Sequence, residues 1–325
     1  MAYILVLLSV IGFAFQITLT KLYQARTVTQ STSGKLLLEK SFFFTMARSA
    51  TMTGIFFIVL GFRLEVTAFS AGVAALMALI VLLFAVIGMM VLSRGSMSVY
   101  TLFLMLGGMM LPFFVGVFIW NEPLSWLRLL GLGLLTLSLF APLFDAKGES
   151  KKGSMLFFFL CLCVFILNGM STVLSNYHQI TPGHVDAISF VVLSNGLTAV
   201  GSVIPWALVK IWSKKTEDVS KDPSKDAVCS NKKINTPAAK LANRRYVLGN
   251  LLVIFALACV SGVASVLMLN SASELDASVL FPMITGGTLF FCAVAGYIFF
   301  KEKPRRYSAA GIIIAILATF LFFIG

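Results

Sequence analysis

The chain has 325 residues, 59% of them hydrophobic and 12% charged, with a mean hydropathy of +0.96. A soluble domain carries about 25% charged residues. Too little polar surface is present to cover a water-exposed fold, so an integral membrane protein is expected. The net charge of +12 does not mark a nucleic-acid binder: nine of the 25 Lys and Arg fall between Lys214 and Arg245, and most others sit between apolar runs. That is how topology determinants are distributed, with anionic membrane lipid as their partner.

About 20 apolar residues span the hydrocarbon core as a helix, and ten runs qualify or nearly so: 2–20, 41–62, 70–92, 97–120, 125–144, 154–176, 187–209, 246–268, 277–300 and 307–324. They are continuous rather than alternating, which excludes an outer-membrane barrel, and lipid leaves the helix as the state that satisfies their backbone. The first run has no basic n-region and no small-residue cleavage site before Lys21, so it reads as a retained helix rather than a signal peptide. Connections are short except for 213–245, where nine basic and four acidic residues give a polar basic loop with too few apolar residues to fold alone. Four of the five cysteines (Cys161, Cys163, Cys259, Cys292) lie in apolar runs and Cys229 lies in the loop. No CxxC or His/Cys metal spacing occurs, no GxxxxGK[ST] phosphate loop exists, and His178 and His184 are the only histidines. Neither a metal nor a cofactor is expected.

One motif recurs. Gly116, Glu122 and Gly131 stand at the seam of the fourth and fifth runs, and Gly296, Glu302 and Gly311 stand 180 residues later at the seam of the ninth and tenth. Ser98-Val99 recurs as Ser278-Val279 at the same offset, and Gly107-Gly108 recurs as Gly286-Gly287. Thr51 and Gly54 recur as Thr198 and Gly201 at the smaller offset that the long loop of the second half requires. The chain therefore divides into two five-helix repeats, 1–145 and 153–325. An odd number of helices per repeat makes the second enter the membrane from the opposite side, so the expected fold is all-α with inverted repeats around a central site. The repeated Glu reads first as a seam residue capping the N-terminal end of the next helix, where a negative charge is favourable.

At these residues the chain resembles the drug/metabolite transporter superfamily, specifically the EamA-like transporters. That family has ten helices in two five-helix repeats, each ending in a short apolar stretch, a Glu and a Gly about nine residues on, here "GVFIWNEPLSWLRLLG" and "GYIFFKEKPRRYSAAG". Its small-residue run before a proline resembles "SASELDASVLFP" ending at Pro282, its basic residue early in the second helix resembles Arg48, and its lysine closing the first helix resembles Lys21. The resemblance implies movement of metabolites, amino acids or drugs across the cell membrane. Two departures stand out. Leu102 replaces the proline in the first half, and the first helix has none of the acid that related small multidrug pumps use for proton exchange, Gln16 being its most polar residue.

Candidate substrate-binding residues follow from polarity inside apolar runs. An intramembrane ionisable group is a functional hypothesis by default, and Arg48 is the one charge well inside a run. It reads either as a snorkelling side chain or as a cation attracting a substrate carboxylate or phosphate; its repeat counterpart is Asn195. None of the 13 acids falls mid-helix, so no proton relay through a buried carboxylate is visible. Gln16 lies on one helix face with Gly12 and Thr20, and Asn168, Thr172 and Asn176 form the matching stripe in the sixth run. Thr285 borders the second glycine pair, and Tyr100 reads as an interfacial anchor or a cavity wall. The expected function is a secondary transporter, not an enzyme, moving a small solute by alternating access through a central polar cavity. The alternatives are a membrane-embedded enzyme acting on a lipid or isoprenoid, for which "NYHQITPGH" with Asp186 is the only polar cluster, or a lipid flippase of the same fold. Monomer and homodimer are both left open.

Orientation sets charge against resemblance. The odd-numbered connections hold nearly all Lys and Arg, while the even ones hold only Arg63 and Arg128. The positive-inside rule then puts the odd connections in the cytoplasm and both termini outside, whereas the family resemblance implies cytoplasmic termini. Following this chain's own charges, Cys229 is expected to resist a membrane-impermeant thiol reagent in intact cells and to react after permeabilisation. Labelling in intact cells reverses the assignment.

Overall fold

The computed structural model of the chain describes residues 2–27, 34–92, 97–145, 155–219, 237–301 and 306–324. Within them lie ten helices and no strand: α1 (Ala2–Thr27), α2 (Gly34–Val59), α3 (Ala68–Leu92), α4 (Met97–Phe118), α5 (Trp126–Asp145), α6 (Met155–Ile180), α7 (Ala187–Val219), α8 (Pro237–Ala272), α9 (Ala277–Phe300) and α10 (Arg306–Ile324). All ten expected helices are present, and the protein is an all-α integral membrane protein. Nine are long and apolar enough to cross a membrane among the described residues; the apolar part of α5, Trp126–Ala141, is shorter. Several helices overrun their apolar runs because backbone hydrogen bonding does not stop at the edge of the lipid. The clearest case is the polar segment expected over 213–245: α7 continues to Val219 and α8 starts at Pro237.

The described turns use specific stop and start chemistry. Left-handed residues close α2 (Gly61, Phe62), α4 (Asn121) and α9 (Lys301), with φ of 60°, 64°, 56° and 53°. Asn121 and Lys301 are 180 residues apart, so the repeated motif includes the same turn. Side-chain oxygens open the next helices: Thr67 accepts Ser70 N–H in α3 (3.2 Å), Ser125 accepts Leu127 N–H in α5 (3.1 Å), and Asp186 accepts the N–H groups of Ile188 and Ser189 in α7 (3.0 and 3.1 Å).

Two apolar bodies carry the packing. One gathers Met52, Phe56, Ala74, Phe190, Val191 and Ala258 from α2, α3, α7 and α8. The other gathers Met109, Phe113, Leu135, Ala315 and Phe322 from α4, α5 and α10. The main helix seams are α2 on α7, α5 on α10 and α4 on α9, with α1 on α8 and α9, and α6 on α3 and α4; α2 also meets α8, and α7 meets α3. Exchanging each helix for the one five places along the chain returns the same main seams.

Glycine makes these seams close. A Cβ on Gly131 of α5 would lie 2.8 Å from the Phe322 ring of α10, and one on Gly311 of α10 would lie 2.6 Å from Ala141 Cβ and 2.8 Å from Ser138 O of α5. The two repeat-motif glycines thus serve one seam from opposite sides. Lipid is as apolar as leucine, so close van der Waals contact between small residues is what joins helices there. Gly311→Val is expected to lower thermal stability by about 1–3 kcal/mol, the range for overpacking a tight site. Gly133→Ala, with nothing within 4 Å of the added carbon, is expected to be tolerated. Equal melting temperatures for both variants would refute the close seam.

Candidate functional site

Glu122 occupies a position different from the one expected. Its carboxylate accepts the backbone N–H groups of Ala277 and Ser278, both at 2.8 Å, at the start of α9. It therefore caps a helix of the other half rather than the next helix, α5, whose first turn is satisfied by Ser125. The physical reason lies in the turn: Glu122 N–H bonds back to Gly116 O at 3.0 Å, which folds the side chain over Gly116. A Cβ on Gly116 would collide with that carboxylate, which explains why the motif begins with glycine. Arg128 completes the latch, donating through Nη1 to Asp276 Oδ2 (2.9 Å), Ser278 Oγ (3.3 Å) and Pro123 O (2.8 Å). Asp276 immediately precedes α9 and Arg128 lies in the first turn of α5, so the latch ties the two start points together. Sequence reading missed this pairing; the signal was an acid and a base in two even-numbered connections, which share a membrane face. The repeat counterpart Glu302 lies outside the described residues, while Gly296 accepts the N–H of the αL residue Lys301.

The same face carries the histidine cluster. His178 is fully buried, stacked on Phe190 (3.6 Å between ring centroids, 14°) and flanked by Phe69 (5.9 Å, 3°). Its Nε2 lies 2.9 Å from Ser70 Oγ, and its Nδ1 lies 3.2 Å from Gln179 Nε2. Ser70 Oγ also accepts Val185 N–H, and Thr67 Oγ1 reaches Gly183 O. A serine beside an imidazole is a nucleophile–base geometry. Here both residues are 0% exposed and the ring faces are covered by aromatics, so the pair fastens the α2–α3 and α6–α7 connections together. His184 bonds Thr181 O (2.8 Å), and Asp186 caps α7.

Arg48 stands apart from these networks. It lies ten residues from one end and eleven from the other of the span Leu38–Val59, about 15 Å from either edge. That is farther than a fully extended arginine side chain reaches. Its direction follows from helix geometry: Phe44, Arg48, Met52 and Ile55 fall on one stripe. Phe44 stacks on Tyr23 of α1 (4.6 Å), buried Met52 lies 3.7 Å (Sδ) from Ser261 Oγ of α8, and Ile55 packs in the core. Within two turns of Arg48 the exposed residues of α2, Phe43, Ala50 and Gly54, lie on the far side; Ile58 and Val59 are exposed at the helix end. Arg48 is half-buried, faces the interior, and makes no hydrogen bond or ion pair among the described residues. Its neighbour Ser49 is fully buried with Oγ unpartnered.

The other sequence candidates distribute over several seams. Gln16 turns to the interior beside Tyr23, and the Tyr23–Phe44 stack sets it within about one helical turn of Arg48's level. Its amide makes no hydrogen bond among the described residues. Asn168 is at the α4–α6 seam, donating to Leu104 O at 2.8 Å above Gly108, and Thr172 bonds Asn168 O and Gly169 O. Asn195 on α7 donates to Val191 O, next to the contact of Gly196 with Thr53. Tyr100 packs over Gly88 and near Phe84, between α3 and α4. Thr285 on α9 is half-buried beside Gly286, which fits against Thr319 of α10. Of the candidates, Gln16 and Arg48 carry side-chain polar groups with no hydrogen bond among the described residues, on helices that form no main seam with each other; Asn168, Thr172 and Asn195 direct theirs to backbone carbonyls.

No family model matches the chain, and no curated protein matches it. A solved structure described as "Crystal structure of protein" is similar over 97% of this chain and 98% of that one, with a TM-score of 0.63 and 11% identity. At that identity the likeness shows a shared fold.

Glu122→Ala is expected to cost about 2–3 kcal/mol in thermal stability, since it strands two α9 N–H groups bonded to a charged acceptor. Arg128→Ala in the Glu122→Ala background is expected to add less than it does alone, because the two act on one turn. Additive losses in the double-mutant cycle would separate them.

Proposed function

We propose that the protein is a secondary transporter built from two inverted five-helix repeats, resembling EamA-like transporters, and that it moves a small solute by alternating access. The observation that carries this reading is the exchange pattern of the helix seams: α1 on α8 answers α6 on α3, α1 on α9 answers α6 on α4, and α2–α7, α4–α9 and α5–α10 are self-paired. Such an arrangement interleaves the halves around a shared centre, and related halves of opposite topology give two states that open to opposite faces. Gln16 of α1 and Arg48 of α2, each inside its apolar span, are the polar groups this reading assigns to that centre. The latch at Glu122 and Arg128 supports a division of labour, since it ties α5 to α9 and leaves α1, α2, α7 and α8 as the elements that move around the site.

Reconstituted into liposomes, the full chain is expected to carry a small metabolite, amino acid or drug-like solute faster than protein-free vesicles. Gln16→Ala should lower initial uptake several-fold while leaving the folded yield unchanged. Gln16→Cys should react with an impermeant thiol reagent from either membrane face, as an alternately exposed site does. Reactivity from one face alone, with uptake at the protein-free rate, would overturn the transporter reading.

A further inference from the structure

The interior of the bundle has an unbalanced charge. Arg48 is the only charged side chain more than one turn inside any described membrane span: Lys21, Glu39, Lys40, Lys210 and Arg306 all lie within two residues of a span end, and Arg128 lies at the start of α5. Lys40 is already committed to Thr27 O at 2.7 Å. Among the described residues no carboxylate lies in the middle of a span to neutralise Arg48, and none gives it a hydrogen bond. Charges inside membranes pair with one another, with carbonyls or with what passes through. Here the first two are missing.

Resting on the transporter reading, we infer that Arg48 takes the carboxylate of a small organic monoanion as its missing counter-charge, and that the protein therefore works as an anion exchanger. One guanidinium offers a planar fork that matches one carboxylate bidentately. A single negative charge cancels a single positive one; a phosphate dianion would leave one charge over in a poorly screened interior. Gln16 of α1, about one turn away in level along the bundle, is a further interior amide with no hydrogen bond among the described residues. The exchange mode follows from the same balance. With the anion bound, the moving site is neutral; emptied, it must cross its occluded state with a bare cation. The acid in the described spans, Glu39, sits one residue from the end of its span, about nine residues from Arg48, and so does not travel with the site. The loaded carrier returns readily and the empty one does not.

The test uses the full chain in detergent and in liposomes, with sodium formate and sodium acetate as probes and sodium chloride and sodium phosphate at equal ionic strength as controls. Formate and acetate are expected to raise the melting temperature saturably by a few degrees, phosphate and chloride are not, and Arg48→Met abolishes the shift. Arg48→Met itself should melt no lower than the native chain, because it removes an uncompensated charge. In liposomes, uptake of labelled pyruvate should be several-fold faster into vesicles preloaded with unlabelled pyruvate than into empty ones. A phosphate-specific shift, or a carboxylate shift that survives in Arg48→Met, overturns the monocarboxylate assignment. Uptake of other solutes that is indifferent to Arg48→Met leaves the transporter reading standing and removes this inference. Saturable formate binding lost in Arg48→Met, with no preloading effect, sustains the site and removes the exchange mode. Absence of flux for any solute removes the transporter reading itself.

Discussion

Close approach of helices through glycine is the constraint on which this structure depends. In water, apolar faces associate because they leave the solvent; in lipid that drive is absent, and helices hold together by the fit of their surfaces. Gly107 meets the backbone of Phe165, Gly169 meets Leu111, Gly12 meets Ala264, and Gly262 receives the Phe56 ring. At each of these positions an added methyl would meet an atom of the neighbouring helix. The repeat glycines Gly131 and Gly311 show the same principle turned back on itself, each opening the α5–α10 seam to a residue of the other.

Polar chemistry is then placed where this framework allows it. On one face, Glu122, Arg128 and Asp276 satisfy the start of α9, while His178, Ser70 and Thr67 join two connections. These groups are tied to one another and to backbone, with Arg128 bonding through Nη1 while its Nε is buried without a partner. In the interior the opposite holds: Arg48 and the Gln16 amide are left without partners. Arg48 is half-buried near the middle of its span, with no ion pair among the described residues.

Much of the architecture was legible in the residues. Long apolar runs with few charges determine helices, since lipid offers no other state that satisfies the backbone. The 180-residue recurrence of Gly-Glu-Gly also marked positions of real structural consequence, the αL turns at Asn121 and Lys301 among them. The helix that Glu122 caps was not legible. Sequence adjacency pointed to α5, but a side chain folded over Gly116 reaches whichever helix start the packing brings near, and that is α9.

The sequence by itself determined that the chain crosses a membrane as helices, where those helices lie, and that Arg48 and Gln16 sit within apolar runs. Those properties depend on composition and local periodicity alone. Only the tertiary structure decided that Asn168, Thr172 and Asn195 direct their polar groups to backbone carbonyls while Arg48 and Gln16 do not. It also decided that Arg48 looks inward and that Arg128 finds Asp276 148 residues away. Those outcomes depend on which helix faces meet. Seam geometry arises from many small surface fits between distant segments, and no local stretch of the chain encodes it.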